Sequence, residues 1–210
     1  MSEFNNTPDL RRRRTLKLLT SALVSLIFEK PVSQITVKEL VEKAEIARTT
    51  FYQNCLDMDD FIDRITDKIL FEYLIKAKEA VQHFDNPMSK EGVLAHNLVY
   101  FNHIAENADF YRAMLSINGP SSFRNKMLSI GSDWVTSLYK SGISADLASN
   151  IANPKYTSRY DLNLIINAAV AMQIVTVEFW VRHDMNYSIE YLANYQTDFC
   201  MSLGSLSFPV

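Results

Sequence analysis

Apolar residues recur at steps of three and four along most of the chain, the spacing that places them on one face of a helix. The first stripe predicts a helix from about residue 9 to Phe28, which ends before Pro31 because the residue preceding a proline disfavours the α region. Two short helices follow, over Val37–Lys43 and Ala47–Asn54, and a long amphipathic helix begins at Asp57. The front of the chain therefore predicts three helices leading into a fourth.

The rest of the chain is also predicted to be helical, with breaks at the segments that contain Pro87 and Pro120. Predicted helices begin after Ser89, after Asn107, at Ser121, at Asp161 and after Ser188. The segment 143–160 gives no clear pattern, and Asn153-Pro154 would break any helix there. The sequence thus predicts an all-α fold of about nine helices, with a three-helix N-terminal domain and a larger helical domain.

Composition supports the all-α prediction and excludes several functions. Glycine occurs five times, always at Gly92 or later, so the chain is poor in turns and holds neither a phosphate-binding glycine loop nor a GxGxxG motif. Its two cysteines form no disulfide framework. His96 and His103 are seven residues apart on one predicted helix, about 10.5 Å along its axis, which is too far to chelate one ion. We predict no catalytic residues, no metal, no cofactor and no enzymatic activity.

Charge is distributed unevenly. Residues 1–56 contain nine Lys and Arg against six Asp and Glu, a net charge of +3, whereas residues 57–210 have a net charge of −6. A basic front end on an acidic body predicts a polyanionic partner for that end alone. No apolar segment near the N-terminus resembles a signal peptide, and the longest uncharged run, Leu162–Val177, is short for a membrane span. The sequence therefore predicts a cytoplasmic protein that does not associate with a membrane.

The two short front helices have the pattern of a helix-turn-helix, whose second helix enters the major groove of DNA. Helical spacing turns Phe51 inward and leaves four side chains outside: Arg48, Thr49, Tyr52 and Gln53. Arginine can pair with guanine, glutamine with adenine, and threonine can touch a thymine methyl group. The same pattern also fits the solvated face of an ordinary helical hairpin, so spacing alone leaves both interpretations open.

The segment from Ile35 to Tyr52 closely resembles the DNA-binding signature of the TetR/AcrR family of transcriptional regulators. The matching features are the helix Thr36-Val37-Lys38-Glu39-Leu40, a turn, and a second helix with Thr50-Phe51-Tyr52. The resemblance extends over roughly residues 10–75, with weaker similarity in Asn107–Leu115 and near Trp180. It implies a flexible N-terminal arm (1–9), a DNA-binding domain (10–56) and an effector-binding and dimerisation domain (57–210).

The resemblance also implies roles for individual residues. Arg48, Thr49 and Gln53 match base-reading positions, and the phosphate-contacting positions correspond to Thr36, Lys38, Thr50 and Tyr52. The arginine cluster Arg11–Arg14 opens the first helix, where positive charge is unfavourable for the helix dipole, which favours a DNA contact for residues such as Arg13 and Arg14.

For the larger domain, the resemblance implies a dimer formed by the last two long helices and a small-molecule pocket. The predicted dimer residues are Ile166, Val170, Val177, Val181, Leu192, Tyr195 and Phe199. The predicted pocket residues are Tyr100, Phe101, His103, Phe110, Met114, Met127, Trp134, Asn167 and Gln173. A large monomeric core would account for the same apolar helices without a partner.

Three departures from the family pattern leave a second function open. Glu45 replaces the glycine of the turn, Asn54-Cys55 replaces an aromatic pair, and Met58, beside several aspartates, replaces a phosphate-contacting lysine. We therefore expect a dimeric regulator, most simply a repressor, that binds a palindromic operator and is released by an effector. The alternative is a TetR-like sensor or co-regulator that acts through a protein partner with weak or no DNA binding.

Overall fold

The computed structural model describes residues 7–142 and 161–205. Within these ranges it contains nine α-helices, one short 3₁₀ helix and no strand, which confirms the all-α prediction. The first six residues of the predicted arm and the predicted break at Asn153-Pro154 lie outside the described residues.

The nine helices agree closely with the predicted order. They are α1 (Thr7–Glu29), α2 (Val37–Lys43), α3 (Arg48–Tyr52), α4 (Met58–Val81), α5 (Lys90–Glu106), α6 (Ala108–Met114), α7 (Ser121–Gly142), α8 (Leu162–Arg182) and α9 (Ile189–Ser205), with a 3₁₀ helix at Val32–Gln34. The first helix begins at Thr7, inside the segment predicted as an arm, and α3 is shorter than predicted.

The chain divides into two compact units. The first unit takes in the chain up to Ile69 together with Asp109–Phe123. Helices α1, α2, α3, α6 and the start of α4 all contribute buried side chains to it. Among them are Leu19, Leu23, Ile27, Leu40, Phe51, Phe61, Ile65, Phe110 and Met114. The unit continues past the predicted boundary at residues 56 and 57 because Phe61 of α4 packs edge-on against Phe51, with ring centroids 5.9 Å apart.

The turn after α6 is tied to the end of α1 inside this first unit. The Asn118 side-chain amide donates to the carbonyl oxygen of Ile27 (3.0 Å), and the Asn118 carbonyl accepts from the backbone N–H of Val32 (2.8 Å). These bonds satisfy backbone groups where α1 ends and fix the chain that leads into α2.

The second unit comprises Leu70–Ala108 and the chain from Arg124 onward. A buried polar network crosses its core: the Asn97 amide donates to the Thr197 hydroxyl (3.0 Å), and Gln173 donates to the Asn97 carbonyl oxygen (3.2 Å). Because these residues lie on α5, α9 and α8, the network joins three helices. Gly131 of α7 allows close packing on α8, since a Cβ there would lie 2.7 Å from a methyl group of Val170.

One described helix, α8, is long and apolar enough to cross a membrane by length and composition, with a mean hydropathy of 1.8. Part of that apolar surface is the buried core face of the second unit. Three large apolar side chains of the same helix, Leu164, Val175 and Phe179, are exposed.

Candidate nucleic-acid interface

The helix-turn-helix is built by strong local signals. The Thr36 hydroxyl accepts from the backbone N–H of Glu39 (3.2 Å), and the Glu39 carboxylate accepts from the backbone N–H of Thr36 (2.9 Å). This is the predicted capping box, and it fixes the start of α2. The Lys30 ammonium lies 2.5 Å from the same carboxylate and, with the Thr36 bonds, lowers the pKa of Glu39 to about 2.

The turn between α2 and α3 is a Schellman motif. The N–H of Ile46 donates to the Val41 carbonyl (3.0 Å), and the N–H of Glu45 donates to the Glu42 carbonyl (3.2 Å). This geometry needs a left-handed residue at the position of Glu45, and its φ is 54°. Glu45 therefore occupies the conformation that glycine adopts at least cost.

Helix α3 presents its polar face outward. Phe51 is fully buried, whereas Arg48, Thr49, Tyr52 and Gln53 are exposed, as their spacing predicted. The Arg48 guanidinium donates to the Tyr52 hydroxyl (3.3 Å) and lies 5.6 Å from the Tyr52 ring centroid. This pairing holds the arginine along the outer face of α3.

A concavity of about 750 Å³ lies between the N-terminal half of α1 and α3. Its lining residues are Arg11, Arg12, Arg14, Thr15, Leu18, Thr50, Gln53 and Asn54. We call this concavity the arginine groove. Arg14, Thr50 and Gln53 were predicted as DNA-contacting residues; Arg11 and Arg12 belong to the predicted cluster but were not singled out. Arg13 is exposed and is not part of the lining.

The other predicted phosphate contacts, Thr36 and Lys38, are exposed at the start of α2. Lys38 approaches Glu42 at 4.0 Å, an exposed pair that contributes little energy.

The aspartates at the start of α4 have structural partners. Asp57 accepts from the backbone N–H of Asp60 (2.8 Å), and Asp60 accepts from the backbone N–H of Leu56 (2.8 Å). Arg64 also donates to Asp60 (2.8 Å), and this bond, with that from the Leu56 N–H, lowers the pKa of the Asp60 carboxyl group. The acids thus cap the helix, where the helix dipole favours negative charge.

The structure distributes the predicted effector residues over both units. Phe110 and Met114 belong to the first unit, and the remainder belong to the second. Asn167 is exposed and accepts from the Ser132 hydroxyl (3.0 Å), so it does not line an interior site. The buried members of the second unit are Tyr100, Phe101, His103, Met127 and Gln173, while Trp134 is half-buried.

Sequence reasoning did not select two further residues of that interior. Tyr73 and His96 lie beside Tyr100 and His103, and the Tyr73 hydroxyl is 2.5 Å from His96 Nε2. Helical spacing from His103 reaches His96, and the apolar stripe of α4 includes Tyr73, but neither pattern shows that the two side chains meet.

The predicted dimer residues fall on two different faces of α8 and α9. Five are buried within the second unit: Ile166, Val170, Val177, Val181 and Leu192. Phe199 is half-buried and Tyr195 is exposed. The same two helices expose a further apolar set, Leu164, Val175, Phe179 and Tyr191, which with Tyr195 have exposed fractions between 48% and 63%. We call these five residues the apolar face.

Comparison with known structures identifies the fold. The chain is similar to the fatty acid degradation regulator FadR from Bacillus halodurans, with 14% identity, a TM-score of 0.66 and coverage of 92% of this chain and 97% of that one. It is also similar to FadR from Bacillus subtilis in complex with stearoyl-CoA, with 18% identity, a TM-score of 0.61 and coverage of 89% and 97%. A third similar structure is DhaS, an activator of the dihydroxyacetone kinase operon, with 16% identity, a TM-score of 0.55 and coverage of 93% and 98%.

Sequence comparison identifies the family. No curated protein matches the chain significantly by sequence. Residues 96–201, half of the chain, match the family model TetR_C_8, which describes the C-terminal region of a transcriptional regulator. Together with the all-α architecture, this match shows that the chain belongs to the TetR family of transcriptional regulators.

Proposed function

We propose that the protein is a homodimeric, cytoplasmic regulator that binds a palindromic operator through α3 and is released from DNA by a small-molecule effector. The observation that supports this best is the polar outer face of α3 beside the arginine groove. Base-reading side chains and phosphate-neutralising side chains are the two components of sequence-specific DNA binding.

In this proposal Arg48 and Gln53 read base edges in the major groove, with Thr49 contacting a thymine methyl group or a phosphate. Thr36, Lys38 and Tyr52 contact the sugar-phosphate backbone. The three arginines of the arginine groove form no ion pair within the described residues, so their charges are available to contact the DNA phosphates next to the base pairs that α3 reads. These arginines supply the salt-dependent part of the affinity.

The apolar face supports the dimer. Exposed side chains of this size on two adjacent helices form a patch of the kind that marks a protein interface. A two-fold axis through such a patch gives an isologous interface. Two copies of α3 then read two half-sites about one helical turn apart, which is the reason for a palindromic operator.

The effector acts by population shift. A ligand that binds one conformation of the second unit more tightly than another changes the operator affinity by that difference. Helix α4 contributes residues to both units, which supports it as the element that transmits the change. The fold similarity to FadR in complex with stearoyl-CoA supports a small-molecule effector.

Repression is the simpler sign of regulation, because an operator-bound dimer blocks a promoter without any further contact. DhaS, which shares the fold, is named an operon activator. A reporter gene under the selected operator, with and without the regulator, tests the sign separately from binding.

The deciding experiment selects DNA sequences with the purified full-length protein and measures binding by mobility shift. Arg48→Ala should weaken binding to the selected site by about tenfold to a hundredfold and relax the base preference at one position of that site. Arg14→Ala should weaken binding to all sequences and reduce the slope of log affinity against log salt concentration by about one. Lys78→Ala, which removes an exposed charge in the second unit, is the matched control and should bind normally. If no sequence is selected, the direct DNA-binding function is refuted and the co-regulator alternative is favoured.

The dimer is tested by light scattering coupled to size-exclusion chromatography. Tyr191→Glu, in the apolar face, should give a monomer with weakened operator binding. Phe71→Glu is the control, since Phe71 is equally exposed on α4 outside that face. A wild-type protein that is monomeric at micromolar concentration would contradict the dimer.

A further inference from the structure

A cluster of polar rings occupies the interior of the second unit. Tyr73 lies at its centre, with ring centroids 6.0 Å from His96, 5.3 Å from Tyr100 and 5.7 Å from His103. Trp134 of α7 extends the cluster, at 6.3 Å from His96. We call these five side chains the ring cluster. A core built for stability favours side chains without polar atoms and includes a tryptophan where its N–H reaches a partner. The feature of the ring cluster that needs an explanation is therefore the Trp134 N–H, which has no acceptor in the described part of the chain.

The ring cluster carries no formal charge at neutral pH. Burial lowers the pKa of both His96 and His103 to about 4 and raises the pKa of both tyrosines, so all four rings are neutral. The charged groups that act on His103 are Lys76 and Glu106, which pair with each other at 2.5 Å. The cluster therefore offers no net positive charge to a carboxylate or a phosphate.

The ring cluster instead offers a hydrogen-bond donor that has no acceptor among the described residues. The Trp134 indole nitrogen is shielded from solvent and has no acceptor among the described residues. An indole N–H can only donate, and a buried donor without an acceptor is unfavourable. A ligand that satisfies Trp134 must therefore supply an acceptor.

We infer that the effector of this protein is an uncharged ring compound with a carbonyl oxygen, bound against the ring cluster with that oxygen accepting from Trp134. This inference rests on the effector binding proposed above and specifies its ligand class. A flat ring can stack on the tyrosine and imidazole rings, whose faces favour aromatic partners. A saturated hydrocarbon tail has no flat ring to stack on this cluster. A carboxylate or phosphate head can accept from the indole N–H but meets no charged partner there, because both histidines are neutral at pH 7.

Probes of equal size separate ring stacking from the proposed hydrogen bond. Coumarin, chromone and 1-tetralone are neutral two-ring compounds with a carbonyl group, and naphthalene has two rings without one. We expect the three carbonyl compounds to raise the melting temperature and to bind in calorimetry, each more tightly than naphthalene. Stearoyl-CoA is the anionic long-chain probe and is expected to bind more weakly than the carbonyl compounds.

The two tryptophans of the chain provide a matched pair of variants. Trp134→Phe removes the N–H and keeps an aromatic ring, so carbonyl probes should bind about tenfold more weakly while naphthalene binding is unchanged. Trp180→Phe is the control, because the Trp180 N–H already donates to the Tyr187 carbonyl (3.0 Å). Without ligand, Trp134→Phe should leave the melting temperature unchanged or raise it, and Trp180→Phe should lower it. The Trp180→Phe protein also leaves Trp134 as the single fluorescent reporter of the site.

The inference is overturned if none of the three carbonyl compounds binds, if stearoyl-CoA binds more tightly than all of them, or if Trp134→Phe leaves their affinity unchanged. Operator selection with the ligand-free protein is independent of these results. Specific DNA binding without carbonyl-probe binding would refute the ligand class and retain the regulator. Loss of both would refute the proposed function as well.

Discussion

Glu45 combines two unfavourable properties in one turn, and its substitution separates them. The residue holds φ at 54° in the Schellman turn, and it places a negative charge immediately before α3, the helix proposed to enter DNA. Glu45→Gly removes both the conformational strain and the charge. Glu45→Gln removes the charge alone, because glutamine has the same shape and the same difficulty with a positive φ.

The size of each effect follows from the geometry. A left-handed conformation costs a residue with a Cβ about 1–2 kcal/mol, which glycine avoids. Glycine also makes the unfolded chain more flexible, and this offsets about 0.4–1 kcal/mol of the stabilisation. Glu45→Gly should therefore stabilise the protein by about 0.5–1 kcal/mol, or about 1–4 °C in Tm. A unit charge at about 10 Å from a phosphate in water repels it by about 0.4 kcal/mol, a factor of about two per subunit.

Thermal unfolding of the DNA-free protein and operator binding at two salt concentrations separate these contributions. Glu45→Gly alone should raise Tm, whereas both variants should tighten operator binding by a similar factor at low salt and by less at high salt. Equal Tm values for the two variants would refute the strain assigned to the turn. Unchanged low-salt binding in both would refute the repulsion.

Three further predictions concern stability. Thr36→Ala removes the capping box and should cost about 1 kcal/mol in urea unfolding, while Thr36→Ser should retain most of the stability; equal losses would contradict the cap. Asn97→Ala removes the acceptor of the buried Gln173 amide and a donor to the Thr197 hydroxyl, and should cost about 2–3 kcal/mol in the same assay. The exposed Asn167→Ala should cost less than about 0.5 kcal/mol. The pKa of buried His96 is about 4 in the folded state and about 6.5 when unfolded, so its contribution to stability is complete above about pH 6.5 and decreases as pH falls toward 4. By pH 5 the loss due to His96 should reach about 2 kcal/mol, and His96→Gln should remove that part of the dependence while the part due to His103, whose pKa is also about 4, remains. A wild-type urea midpoint independent of pH between 7 and 5 would contradict it.

The helix-turn-helix could be predicted from sequence because its signals are local. The Thr36–Glu39 spacing specifies the start of α2, Pro31 specifies the end of α1, and the position of Phe51 specifies which face of α3 is buried. Each signal acts within about one helical turn, so periodicity and capping rules detect it. The predicted bounds of α2 agree with the structure residue for residue.

The second unit was less predictable because its helix α8 lacks a continuous polar face. Apolar residues surround α8 on nearly every side, so its spacing cannot distinguish the side facing the protomer core from the exposed side. Sequence reasoning selected Val170 and Val177, which are buried, whereas Leu164 and Val175 form the apolar face. The ring cluster has the same limitation, because the residues that meet there come from α4, α5 and α7, and their proximity depends on tertiary packing.

Formal charge near α3 overstates the repulsion that DNA would meet. Of the acidic residues around the helix-turn-helix, Glu39 is paired with Lys30, and Asp57 and Asp60 accept backbone N–H groups at the start of α4. Carboxylates engaged in this way stabilise the unit that carries α3, and their negative charge is partly offset by their partners. Glu45 forms no ion pair among the described residues, and it also bears the backbone strain of the turn. Helix capping therefore accounts for Asp57 and Asp60, whereas nothing in the structure explains Met58 in place of a lysine. Among the acidic residues, Glu45 is the one that should limit operator affinity.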